Sequence, residues 1–327
     1  MNINQQPRFS YLAQLAMLLG GVGVFMIIGS LVIGVLAANA MHIPILQLGE
    51  ALKKVENANA ARWFNTITTF VVFLIPCIIF AYIVSRKPFA YLGFNGVLSG
   101  KQFFLVLLMA VVAIMLSNTL GELNEHIPVS AKFLAKARAF EKEYSETIAV
   151  MANMKNWQDY LFSLFVIAFC PAVIEEVLFR GGFQKIFIGW TKNMWVGIVL
   201  TSVLFSAIHF SYFGLLARAG LGVVLGLIFY YSKNIWLNIA LHFLNNGIII
   251  TIMYSLSRTG KSAAEIEKVT NGSIPYYLVW LPVSIGLLYV LFTSFKKESN
   301  RILPVEQDDY LKKDDNPFAN KPTGNIE

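Results

Sequence analysis

Eight stretches of 14 residues or more contain no Asp, Glu, Lys or Arg: Phe9–Gly49, Trp63–Ser85, Gln102–Gly121, Tyr160–Ile174, Asn193–Ala217, Ala219–Ser232, Asn234–Ser257 and Val269–Phe295. A helix needs about 20 mostly apolar residues to cross the hydrocarbon core of a bilayer, and six of the stretches reach that length. The expected fold class is therefore all-α, a polytopic membrane helix bundle. Composition agrees. Of the 327 residues, 56% are hydrophobic and 14% charged, against about a quarter charged in a soluble domain.

Two stretches are short: Tyr160–Ile174 has 15 residues and Ala219–Ser232 has 14, and the charges that bound them are Glu175 and Arg218. If the membrane tolerates Glu175-Glu176, the fourth stretch runs on through Phe179 and becomes long enough. Eight membrane helices follow. The alternative is seven, with one short stretch re-entrant. Ala38-Asn39-Ala40 has the look of a signal-peptidase site. The apolar run before it is much longer than a signal core of roughly 7–15 residues, so it reads as the first membrane helix.

The chain divides into residues 1–156, N-terminal membrane helices with two amphipathic loops; 157–255, where polar residues enter the apolar runs; 256–295, a last membrane helix; and 296–327, a polar tail with the composition of a disordered segment. The loops are Pro44–Ala61 and Ile127–Asn156. In the second, Phe133, Ala137, Phe140, Tyr144, Ile148 and Met151 recur at helical spacing against Lys132, Lys136, Glu141 and Glu143. That pattern suits a helix on the membrane surface or over the bundle, with a solvated helical loop as the alternative. Basic pairs Arg86-Lys87 and Lys296-Lys297 follow the second and last spans. Weighed against Lys53, Lys54, Arg62 and the long loop, they favour cytoplasmic N- and C-termini. The net charge of +7 suits contact with anionic lipid headgroups. No arginine–aromatic pattern points to nucleic acid. Cys77 and Cys170 lie inside apolar runs and are too few for a disulfide framework.

Charged or strongly polar groups inside a membrane span are costly and mark function. Here they are Glu175, Glu176, Arg180, His209, Arg218, His242 and Asn246. Glu176 and Arg180 are four apart with the acid first, the favourable order for a helical ion pair. Glu175 lies about 100° around the helix from Glu176, so it is left free for chemistry. Pro171 cannot donate to Ile167 and is expected to bend the helix below the pair. A turn near Gly189–Asn193 would bring Glu175 and His209, on the next helix, to one depth. His242 and Asn246 are four apart and share a face. Gly222-Val-Val-Leu-Gly226 permits close helix approach. Each feature alone has a structural reading; Glu, two His and Asn together point to a site. A carboxylate in an apolar cavity is a better base near neutral pH, and paired donors facing a developing oxyanion lower a barrier by roughly 3–4 kcal/mol.

Glu175-Glu176-x-x-x-Arg180, Phe205-x-x-x-His209 and His242-x-x-x-Asn246 together resemble the signature of the CPBP family, the type II CAAX prenyl endopeptidases and their bacterial Abi relatives. The resemblance covers about residues 157–255. It implies a bundle of eight membrane helices that hydrolyses peptide bonds within the membrane. It also implies that Glu175 and His209 activate water, that His242 and Asn246 hold the carbonyl oxygen, and that Glu176, Arg180 and Phe205 support them. It implies no cofactor. The alternative is a zinc-dependent intramembrane metalloprotease with Glu175, His209 and His242 as ligands, although the His-Glu-x-x-His pattern is absent. A peptide or protein substrate, lipidated or membrane-embedded, is expected. A transporter, for which no internal repeat is visible, and a non-catalytic membrane scaffold are the other classes open to the sequence.

Overall fold

The computed structural model describes residues 9–259 and 276–303. Nine helices carry its architecture: α1 (Tyr11–Ala40), α2 (Val55–Val84), α3 (Gly100–Glu125), α4 (Ala131–Met151), α5 (Trp157–Thr191), α6 (Met194–Ala207), α7 (Leu215–Ser232), α8 (Ile235–Thr259) and α9 (Tyr276–Ile302). All but α4 are apolar. Seven of them are long and apolar enough to cross a membrane, and α6, with 14 residues, is shorter. The chain is an all-α, multi-pass integral membrane protein.

The short member is not one that the charge pattern singled out. Asn193–Ala217 was expected to be a full-length span, but α6 stops at Ala207. Phe210 takes a left-handed φ of +50°, and the chain turns through residues 208–214 before α7 starts. His209 therefore sits in this turn, just past the end of α6, and not on the helix. Conversely, α5 runs through both glutamates to Thr191, 35 residues in all. Charge runs locate buried polar groups well and helix ends poorly, because a charge with internal partners does not terminate a helix.

Pro171 does not break α5. A π-wound segment, Leu164–Phe169, lies just ahead of Cys170-Pro171, and α2 repeats the device with Phe70–Leu74 ahead of Ile75-Pro76. The wider winding accommodates a residue that lacks an N–H. A second π-wound segment, Val177–Gln184, follows the glutamates.

Two apolar clusters hold the bundle. One centres on α5, where Phe179, Phe183 and Ile186 meet Leu18, Phe80, Phe205 and Phe229. The other joins α3, α7, α8 and α9. The glycines of α7 set its approach to α6: a Cβ on Gly222 would lie 2.9 Å from Ser202, and one on Gly226 would lie 2.7 Å from Ile198. The same two residues offer carbonyls to α5, accepting from Arg180 Nη2 at 3.2 Å and Gln184 Nε2 at 2.9 Å.

The last helix also outruns its expected boundary at residue 295 and reaches Ile302. Glu298 is tolerated inside the fold because Ser99 Oγ donates to it at 2.7 Å and Arg301 Nη2 at 2.6 Å. The rest of the expected tail lies outside the described residues. Helix α4 lies over the bundle: Arg62, buried at the start of α2, donates to the Met151 and Asn153 carbonyls at 2.6 Å each, and Ser211 Oγ donates to Glu141 Oε2 at 2.6 Å. Its Phe133 and Phe140 face outward.

Candidate active site

The turn between α5 and α6 forms at Lys192, in the left-handed region at φ +54°. Asn193 caps α6 by accepting from the Trp195 and Val196 amides. The two helices run back along each other and bring Glu175 Oε2 to 4.0 Å from His209 Nε2. From α8, His242 Nε2 reaches the same oxygen at 3.9 Å. The Glu175 side chain is 13% exposed, His209 21% and His242 3%. One carboxylate oxygen and two ring nitrogens thus converge on a small, largely enclosed volume.

Glu176 points the other way into a fully buried network. Arg180 Nη1 donates to its Oε1 at 2.7 Å, with both side chains inaccessible. His242 Nδ1 lies 2.8 Å from the same oxygen, and Asn238 Nδ2 donates to Oε2 at 3.2 Å and to the Leu225 carbonyl at 2.7 Å. Glu176 is therefore more than the partner of Arg180 that the spacing implied, because it also orients His242. Asn238 was not among the expected site residues. The signal was present in its spacing: 238, 242 and 246 recur every four residues along one face of α8.

These contacts decide what each ring presents. The Glu176 carboxylate can only accept, so His242 Nδ1 carries a proton. The Phe205 carbonyl accepts from His209 Nδ1 at 2.9 Å, so that nitrogen is protonated too. In the neutral ring both Nε2 atoms then turn lone pairs toward Glu175, and Nε2 of His242 donates only as imidazolium. Phe205 is the shared wall. Its ring centroid is 5.3 Å from that of His209 and 5.7 Å from that of His242, and the Arg180 guanidinium stacks 4.9 Å above its face.

Asn246 is set one turn beyond His242, half-buried. Its Oδ1 accepts from Asn245 Nδ2 at 3.3 Å. Among the described residues its amide nitrogen has no acceptor, and Asn246 makes no hydrogen bond to Glu175, His209 or His242. Arg218, singled out with these residues, lies in the first turn of α7 and joins neither network.

The donor chemistry of Glu175, His209 and His242 suits zinc, and each Nδ1 is held as the outer nitrogen of a metal-bound histidine usually is. The spacing is wider than zinc requires. Two ligands about 2.1 Å from a tetrahedral ion lie about 3.4 Å apart, so these groups would have to close by about half an ångström. Among the described residues no three His, Cys, Asp or Glu side chains are gathered as a ready cation cage.

The family model of the Rce1-like type II CAAX prenyl endopeptidases matches residues 157–248, less than a third of the chain. No curated protein and no solved structure matches.

Proposed function

We propose that this chain is a CPBP-family intramembrane protease of the type II CAAX prenyl endopeptidase kind, a reading that the match over residues 157–248 supports, and that it cuts its peptide substrate with water activated by Glu175 and His209. The observation that carries this reading is the convergence of His209 Nε2 and His242 Nε2 on Glu175 Oε2, at 4.0 and 3.9 Å. With His242 protonated on both ring nitrogens, Glu175 Oε2 and His209 Nε2 are left as two facing acceptors, and a water molecule between them supplies a proton to each. Glu175 takes one as the oxygen attacks the scissile carbonyl carbon. His242, as imidazolium between Glu175 and Glu176, donates to the resulting oxyanion through Nε2, and Asn246 donates through its uncommitted amide nitrogen. Collapse breaks the C–N bond, and the proton held by Glu175 passes to the leaving amine. Glu176, Arg180 and Asn238 hold His242 in place.

Exchange of Glu175 for Gln removes the base and preserves the shape. Purified Glu175→Gln should lose about 10²–10⁴-fold in cleavage of an internally quenched CAAX-type peptide with its melting temperature unchanged. A folded Glu175→Gln enzyme with native turnover would defeat the reading.

The paired Nε2 lone pairs favour one second reading, a zinc held by Glu175, His209 and His242. When bound, zinc would polarise the carbonyl and acidify a water.

A further inference from the structure

Arg218 is a cation that forms no ion pair among the described residues. It follows the turn that carries His209 and donates from Nη2 to the Ser211 carbonyl at 3.2 Å. Among the described residues no carboxylate pairs with it, and its Nε is buried without a hydrogen-bond partner. It also stands at the wrong end of its helix. The N-terminus of α7 is the positive end of the helix dipole, where an anion is favoured and a cation is not, and that first turn holds no acidic residue. The fold nevertheless makes room for it. A Cβ on Gly214 would lie 2.4 Å from the guanidinium carbon, so the group rests on the bare backbone of a glycine.

The contact with the Ser211 carbonyl sets Arg218 against the turn that carries His209. Its guanidinium carbon is 5.9 Å from the Tyr144 ring of the overlying α4. Burial pushes the Tyr144 phenol up; the Arg218 charge opposes that rise, and the charges of Glu175 and Glu141 add to it. Tyr144 is thus in electrostatic reach of all three. Glu141, one turn earlier on α4, is engaged by Ser211 and forms no ion pair with Arg218.

We propose that Arg218 is a specificity-determining residue that binds the C-terminal carboxylate of the peptide being cut. The proposal rests on the peptidase reading above. A free carboxylate brought to membrane depth is costly unless a cation meets it. In a C-terminal Cys-a-a-X substrate the terminal carboxylate follows the scissile bond by a few residues, so it enters the site along with that bond. A guanidinium whose Nε has no partner among the described residues, placed at a helix N-terminus, matches a carboxylate in shape and charge.

The test uses the full chain in lipid nanodiscs and one internally quenched CAAX-type peptide made as the free acid and as the C-terminal amide. The native protein should prefer the acid by about 10- to 100-fold in kcat/KM, the range expected for a hydrogen bond to a charged group. Arg218→Gln should bring the acid-to-amide ratio close to one, and Arg218→Lys should restore part of the preference. Binding of the same two peptides to the Glu175→Gln protein is read separately by fluorescence anisotropy. There the acid should bind more tightly, and Arg218→Gln added to that background should erase the difference. Absent cleavage with the binding preference intact counts against the peptidase reading and leaves the carboxylate assignment standing. An acid-to-amide ratio that is the same in native and Arg218→Gln proteins, or no preference in either assay, overturns it. So does an Arg218→Gln loss that falls equally on both peptides, since that marks a structural or headgroup-binding role.

Discussion

Replacing Glu176 by Gln should damage the fold and the chemistry together, and the two losses can be separated. The Glu176 carboxylate faces three donors in a region closed to solvent: Arg180 Nη1 at 2.7 Å, His242 Nδ1 at 2.8 Å and Asn238 Nδ2 at 3.2 Å. Gln retains the shape and one acceptor, but its amide nitrogen turns a donor toward donors. It also leaves the Arg180 charge buried and uncompensated. Breaking a buried pair from one side costs about 3–5 kcal/mol, a large share of the roughly 5–15 kcal/mol that holds a typical protein folded. Arg180→Met should cost less, because Glu176 keeps His242 and Asn238. The double variant Glu176→Gln/Arg180→Met removes both charges, so it should be less destabilised than the sum of its parts. It should nonetheless stay inactive, since His242 has lost the anion that orients it. Unfolding in mixed micelles and kcat on the same preparations measure both effects. A Glu176→Gln protein within about 1 kcal/mol of native stability, or additive losses in the double variant, would refute the coupling of Glu176, Arg180 and His242.

Asn246→Ala should lower kcat by about 10²–10³, the usual cost of one oxyanion donor, with a much smaller change in KM; steady-state kinetics on folded protein decide it. Exhaustive chelation should leave the cleavage rate intact if water alone is activated by Glu175 and His209, whereas loss restored by stoichiometric zinc, followed with metal analysis, favours the ligand reading of the same three residues. Gly226→Ala drives a methyl to 2.7 Å from Ile198 and should destabilise by about 1–3 kcal/mol through overpacking. Gly20→Ala, whose methyl meets nothing within 4 Å, is its neutral control in the same melts.

The linear chain already determined that this is a helical membrane protein, because charge-free runs of 20 residues or more leave little else for a backbone to do in lipid. It also marked Glu175, Glu176, Arg180, His209 and His242, which the structure brings together. Rare charges in an apolar chain stand out, and four-residue spacing places them on helix faces without reference to a neighbour. The Glu176–Arg180 pair could be read that way because both residues belong to one helix. Where helices end was less legible. The end of α6 at Ala207 depends on a turn in which Phe210 takes a left-handed φ and which the Ser206–Leu215 hydrogen bond ties, and the extension of α9 to Ile302 depends on Ser99 and Arg301 meeting Glu298. Only the tertiary structure decided that Glu176 serves His242 as well as Arg180, that Asn238 completes that network, and that Arg218 forms no ion pair among the described residues. Such facts depend on which groups from different helices share a low-dielectric space. Period and spacing describe one helix at a time, and the partner of a buried charge is set by how helices pack.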